Sequence, residues 1–121
     1  MATPSASQVP PDAIDRYDRL IATQPGVERK GAAIPYTSLN GHMTSYLDRT
    51  GSLVLRLGPG DRERFLADHG TTLHTAHRTV QKEFVDVPNE LFAATDGIAP
   101  WFAASIGWIA GRKPKATTRR R

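Results

Sequence analysis

Asn40-Gly41-His42-Met43-Thr44-Ser45-Tyr46-Leu47-Asp48-Arg49-Thr50-Gly51-Ser52-Leu53-Val54-Leu55-Arg56-Leu57 reads as two strands joined by a turn, and it sets the class of the fold. Asn40-Gly41 is a strong turn dipeptide because both residues accept positive φ at little cost. Residues 42–47 then form a candidate strand, and Asp48-Arg49-Thr50-Gly51 turns the chain back. The second strand is clearer. Leu53, Leu55 and Leu57 point one way while Val54 and Arg56 point the other, the period of two that a half-buried strand requires. Such an antiparallel hairpin needs an apolar layer against its leucines, and the flanking sequence supplies candidates for it.

Upstream, Ile14, Tyr17, Leu20 and Ile21 recur at spacings of three and four with charged residues between them, the pattern of an amphipathic helix. Asp12 is its expected N-cap, and Gln24-Pro25-Gly26 its stop. Residues 27–39 show no clean period and are expected to be partly extended. Downstream, Gly58-Pro59-Gly60-Asp61 breaks the strand. Asp61 is the expected cap of a short helix with Phe65, Leu66 and His69 facing inward, ended by Gly70. Residues 71–81 give no firm period. Glu83 to Pro88 reads as a strand closed by its proline, followed by a turn of helix at 89–94. Asp96 then caps a last helix with Ile98, Trp101, Phe102, Ser105, Ile106 and Ile109 on one broad face, whose tryptophans are expected to pack on the sheet. Helix, hairpin, helix, strand, helix predicts a two-layer α+β domain, an antiparallel sheet with helices packed on one face. The expected boundaries are a disordered leader at 1–11, the domain at 12–111 and a disordered basic tail at 112–121.

The chain has 121 residues, enough for one domain and too few for two. It contains no cysteine, which excludes disulfides, thiolate nucleophiles and cysteine-ligated metals. Its first residues lack the basic start and apolar run of a secretory signal. The longest apolar stretch, Ile98 to Ala110, is broken by Pro100, Ser105 and Gly107 and is shorter than the roughly 20 residues that span a bilayer. A soluble, cytoplasmic protein with no membrane partner is the expectation. The net charge of +4 is unevenly placed: residues 112–121 hold six of the sixteen basic residues and none of the twelve acidic ones, leaving the remainder at −2. A charge-based reading of partners therefore belongs to the tail.

Three stretches together carry a likeness to a known family. They are Gly26-Val27-Glu28-Arg29-Lys30 after the opening helix, the strand Leu53-Val54-Leu55-Arg56-Leu57, and Lys82-Glu83-Phe84-Val85-Asp86-Val87-Pro88 followed by Leu91 and then Pro100-Trp101. Over roughly residues 12–112 the chain resembles the TfoX N-terminal domain-like family, bacterial α+β domains related in shape to the YjbR-like proteins. Where that family usually has a Met-Phe-Gly-Gly type run after the Arg-Lys pair, this chain has Gly31-Ala32-Ala33-Ile34-Pro35-Tyr36. The resemblance implies a small regulatory or protein-interaction domain with an unknown partner, which extends to self-association. It implies no catalytic residue and no cofactor.

Four groups of residues are candidates for chemistry. Arg112, Lys113, Lys115, Arg119, Arg120 and Arg121 are candidate nucleic-acid contacts, since a run of cations releases counterions from phosphates whatever the sequence. Against that, no aromatic residue beyond Trp108 is available there to stack on bases. Arg29 and Lys30 are candidate anion contacts at the start of the sheet, or else the charges of a guarded strand edge. His69, His74 and His77 with Asp68 are close in sequence and hold ligand atoms for a metal, but match no ligand motif. The hydroxyls of Ser38, Ser45 and Ser52 lack a recognisable base and orienting group nearby in sequence. The expectation is therefore a non-catalytic interaction domain, with nucleic-acid association through the tail as the alternative.

Overall fold

The computed structural model describes residues 9–31 and 33–112. Its elements are α1 (Pro11–Ile21), β1 (Tyr36–Leu39), β2 (His42–Leu47), β3 (Leu53–Arg56), α2 (Pro59–His69), β4 (Leu73–Ala76), β5 (Thr79–Asp86), α3 (Asn89–Ala93) and α4 (Thr95–Ala110). The five strands form one antiparallel sheet in the order β1-β2-β3-β5-β4. Helices pack against it, the α+β architecture that the hairpin and its flanks predict.

The leucines of β3 do what their period requires. Leu53, Leu55 and Leu57 are fully buried, and with Leu47, Val85 and Val87 they meet Tyr17, Leu20, Phe65, Phe92, Ile98 and Phe102 in one core. Val9 also belongs to this core and Pro11 opens α1, so the residues just before Asp12 are part of the folded unit. The rest of the expected leader, and the tail beyond Arg112, lie outside the described residues.

Helix starts differ from expectation in one consistent way. The N-cap positions are Pro10, Gly58 and Ala94, none with a side-chain cap bond, and Asp12, Asp61 and Asp96 instead sit within the first turns. With Pro11 and Pro59 inside the first turn, the chain enters the helix earlier, because proline has φ preset and no N–H to satisfy. The aspartates then act on the positive end of the helix dipole rather than as caps. The tryptophans also differ from expectation. Trp101 packs edge-on against Phe65 of α2, with ring centroids 5.0 Å apart, and Trp108 lies against Gly58 at the entry to α2. Both touch α2 or its approach: α4 lies over β1, β2 and β3 and α2 over β5.

Residues 71–81, without a period in the sequence, form a hairpin. β4 and β5 are joined through His77 and Arg78, both at positive φ (52° and 66°), the geometry of a type I′ turn made without glycine or asparagine. The ladder then jumps from Leu73–Val85 to Thr75–Val80, so four residues of β5 lie opposite His74 alone. Such a bulge bends a strand sharply. Here it curls the hairpin across the face of the sheet away from the core. Tyr46 of β2 and His74 of β4 have ring centroids 5.8 Å apart, although three strand spacings of a flat sheet would separate them by about 14 Å. Val54, expected on the wet side with Arg56, is consequently fully buried beneath this curl.

A second bulge shapes the other edge. Thr37 pairs with Ser45 and Ser38 with Met43, which leaves Thr44 as the extra residue and turns it to the same side as Ser45. Thr37 Oγ1 lies 2.6 Å from both the Thr44 and the Ser45 hydroxyls, and Ser45 Oγ lies 2.6 Å from Tyr17 Oη. Ser105 donates to the Thr44 carbonyl at 3.2 Å. All five residues are fully buried, and their mutual bonds are what makes that burial tolerable. Burial, opposed by its bonds to Ser45 and Thr37, pushes Tyr17 up to about 12 from 10.0. The unfolded chain gives up this proton near pH 10 and the folded chain holds it to about 12, so stability is lost as pH rises between those values. The loss amounts to about 2–3 kcal/mol at the upper end. In urea titrations from pH 9 to 12, wild-type stability is expected to fall more steeply than that of Tyr17→Phe; parallel declines would contradict the assignment.

Candidate interaction site: the β4 edge and the clefts beside His74

The two edges of the sheet are differently finished. Along β1, the backbone of Tyr36 exchanges both hydrogen bonds with Lys30, at 2.8 and 2.9 Å, so the outer side of that strand is partly closed. The chain reaches this bridge through Gly31, at φ +88°, where a Cβ would collide with the Ile34 carbonyl oxygen. Lys30 extends to Ser38 Oγ at 3.1 Å, and Arg29 binds Asp18 on α1 at 2.7 Å. The two candidate anion contacts thus turn to different partners, and their bonds are those of a guarded edge.

β4 is the opposite edge and, among the described residues, pairs with β5 alone. A two-residue turn makes Ala76 and Thr79 the closing bonded pair, so the N–H and C=O of Thr75 face away from β5. At the other end Asp86 N donates to Thr72 O at 3.0 Å, which by the same alternation turns Leu73 outward. Leu73 and Thr75 therefore present backbone donors and acceptors along an open edge. The strand contains no lysine or proline, the residues that commonly blunt such an edge.

Two clefts flank this edge and share His74 and Asp48. One, of about 400 Å³, is lined by Asp48, Ser52, Thr72, His74, Asp86 and Asn89, among others. The other, of about 480 Å³, includes Ile34, Tyr46, Arg49, His74, His77 and Gln81. His74 Nδ1 is 2.6 Å from Asp86 Oδ1. Donation from Nδ1–H to this carboxylate holds the ring in place. Tyr46 donates to Gln81 Oε1 at 2.8 Å. Burial, and after it the charges of Asp48 and Asp86, hold the Tyr46 hydroxyl above its usual range. Asp48 is held by its own turn: Oδ1 accepts from the backbone N–H of Thr50 and of Ser52 at 2.9 and 3.0 Å. Ser52 in turn donates to Asn89 at 3.1 Å.

The histidines named from the sequence do not come together as one set: His74 and His77 line the same cleft, and His69 does not. His69 lies on α2 against Phe65 and Trp101, with centroids 4.7 and 5.9 Å away. His77 is in the β4–β5 turn, and Asp68 lies on α2. Among the described residues no group of three or more His, Cys, Asp or Glu could hold a metal ion. Of the tail cations only Arg112 is described. It pairs with Glu83 at 3.2 Å and sits 4.9 Å above the Trp108 ring. Burial alone would raise the Glu83 carboxyl, but the Arg56 hydrogen bond and charge, with those of Arg112, hold it below its usual range. Of the serines, Ser45 is spent in the buried hydroxyl chain and Ser38 accepts from Lys30.

What sequence reading missed is the strand edge itself and the pairing of His74 with Asp86. Thr72 to Val80 is rich in strand-forming residues, but the turn signal that would have divided it is absent. No family model, curated protein or solved structure matches this chain. Among the described residues, no helix is long and apolar enough to cross a membrane.

Proposed function

We propose that this chain is a non-catalytic interaction domain of the TfoX N-terminal kind, one that takes up an extended segment of a partner protein as an added strand beside β4. The observation that carries this is the contrast between the two edges, with β1 partly closed by the Lys30–Tyr36 bonds and β4 open along Leu73 and Thr75. Main-chain bonds to such an edge give affinity, and pockets beside it give specificity. The clefts that meet at His74 are placed for the second role. The sequence resemblance supports the regulatory class, and the edge supports the mode.

The reading is tested by selecting displayed random decapeptides on the full chain and challenging the binders with Thr75→Pro. Proline removes the outward N–H and is tolerated on an edge, so the variant is expected to keep the circular dichroism spectrum and lose binding by about tenfold or more. Binders indifferent to Thr75→Pro would overturn the reading. Association with nucleic acid through the tail is the competing account. Its one described cation, Arg112, is already engaged by Glu83 and Trp108, so that account falls to Lys113, Lys115, Arg119, Arg120 and Arg121. Anisotropy with a labelled DNA duplex, comparing the full chain with one in which the last three arginines are glutamates, measures it directly. Tight, salt-sensitive binding lost in the variant would favour nucleic acid over a protein partner.

A further inference from the structure

Resting on that strand-addition reading, we infer that the segment taken up by β4 is basic, with a lysine or arginine side chain seated in the cleft between Asp48 and Asp86. A strand laid beside β4 points alternate side chains to the same face as His74, and that face opens on the cleft of about 400 Å³. Two carboxylates line it, and none of its lining residues is lysine or arginine. Among the described residues neither Asp48 nor Asp86 forms an ion pair with either cation.

Both carboxylates are positioned before any ligand arrives. Asp48 is fixed by its bonds to the backbone of Thr50 and Ser52, and Asp86 by His74. A cation entering between them meets acceptors that need no further ordering, which is where preorganisation adds affinity. An acidic side chain at the same place meets two like charges and is disfavoured. Ser52 and Asn89, bonded to each other at 3.1 Å, add neutral polar groups to the wall.

The whole chain carries +4 but the part before residue 112 carries −2, so a preference for a basic peptide is assigned to the cleft by its loss in Asp86→Asn and not by net charge. The test titrates the decapeptides (Thr-Lys)5 and (Thr-Glu)5 into the isotope-labelled full chain at low salt, following amide shifts. The expected result is that the lysine peptide shifts Leu73–Ala76, Asp48 and Asn89 and binds about tenfold or more tighter than the glutamate peptide. In Asp86→Asn, which keeps an acceptor for His74, that preference is expected to shrink to about threefold or less. Equal binding of both peptides at β4 would overturn the inference and leave strand addition standing. Shifts from the lysine peptide confined to other surfaces would overturn the inference, and no shift at β4 with either peptide would overturn strand addition as well.

Discussion

Phe102→Ala is expected to lower the free energy of unfolding by about 3–5 kcal/mol, as truncation of a buried phenylalanine does. Phe102 is fully buried on α4 and belongs to the same cluster as Leu55 and Val85 of the central strands. The phenyl group is thus part of what joins the last helix to the sheet, and its loss leaves a cavity that two layers tied by a hydrogen-bonded sheet cannot easily close. Against a typical total stability of about 5–15 kcal/mol, this places the variant near the threshold of folding at moderate temperature. Urea unfolding followed by circular dichroism measures it, with Val80→Ala as the control. Val80 is 49% exposed, so its truncation is expected to change stability by no more than about 0.5 kcal/mol. A loss below about 1 kcal/mol for Phe102→Ala would mean that α4 does not pack on the sheet as described.

Gly51→Ala is expected to cost about 2–5 kcal/mol, for two reasons that add. Gly51 has φ +90°, and an L-residue in the left-handed region costs roughly 1–2 kcal/mol. The new Cβ would also lie 2.8 Å from Ala13 Cβ and 3.3 Å from Pro10 Cδ, and overpacking of this sort costs about 1–3 kcal/mol. The turn between β2 and β3 is thereby tied to the start of α1. Gly70→Ala separates the two causes: its φ is +59° and nothing lies within 4 Å of a Cβ built there, so only the backbone cost applies. A Gly51→Ala loss no larger than that of Gly70→Ala, both from urea midpoints, would show that α1 does not press on this turn.

The parts of the fold that were legible in the sequence are those whose signal is local. Leu53, Leu55 and Leu57 announce a buried face through period two, Asn40-Gly41 announces a turn, and Ile14, Tyr17, Leu20 and Ile21 announce a helix. The β4–β5 hairpin was not legible because His77 and Arg78 adopt positive φ without being residues that favour it; the surrounding pairing imposes that geometry. Period two puts Val54 on the wet side because it describes a flat strand, whereas the bulge in β5 folds a second layer over it. The candidate site shares this origin. His74 stands out in the sequence by its type, but its partner Asp86 is twelve residues away and reaches it only across the β4–β5 pairing. The set of His69, His74 and His77 with Asp68 does not form because the end of α2 leaves His69 and Asp68 on the helix, while His74 and His77 go with the β4–β5 hairpin to the cleft they line.

The most direct test of the account is isotope-filtered nuclear Overhauser spectroscopy on the full chain with a peptide selected for binding. Cross-strand contacts from the peptide backbone to Leu73 and Thr75, with a side chain reaching His74, are the predicted result. Contacts to the β1 edge or to the outer surface of the helices, with Leu73 and Thr75 untouched, would contradict it.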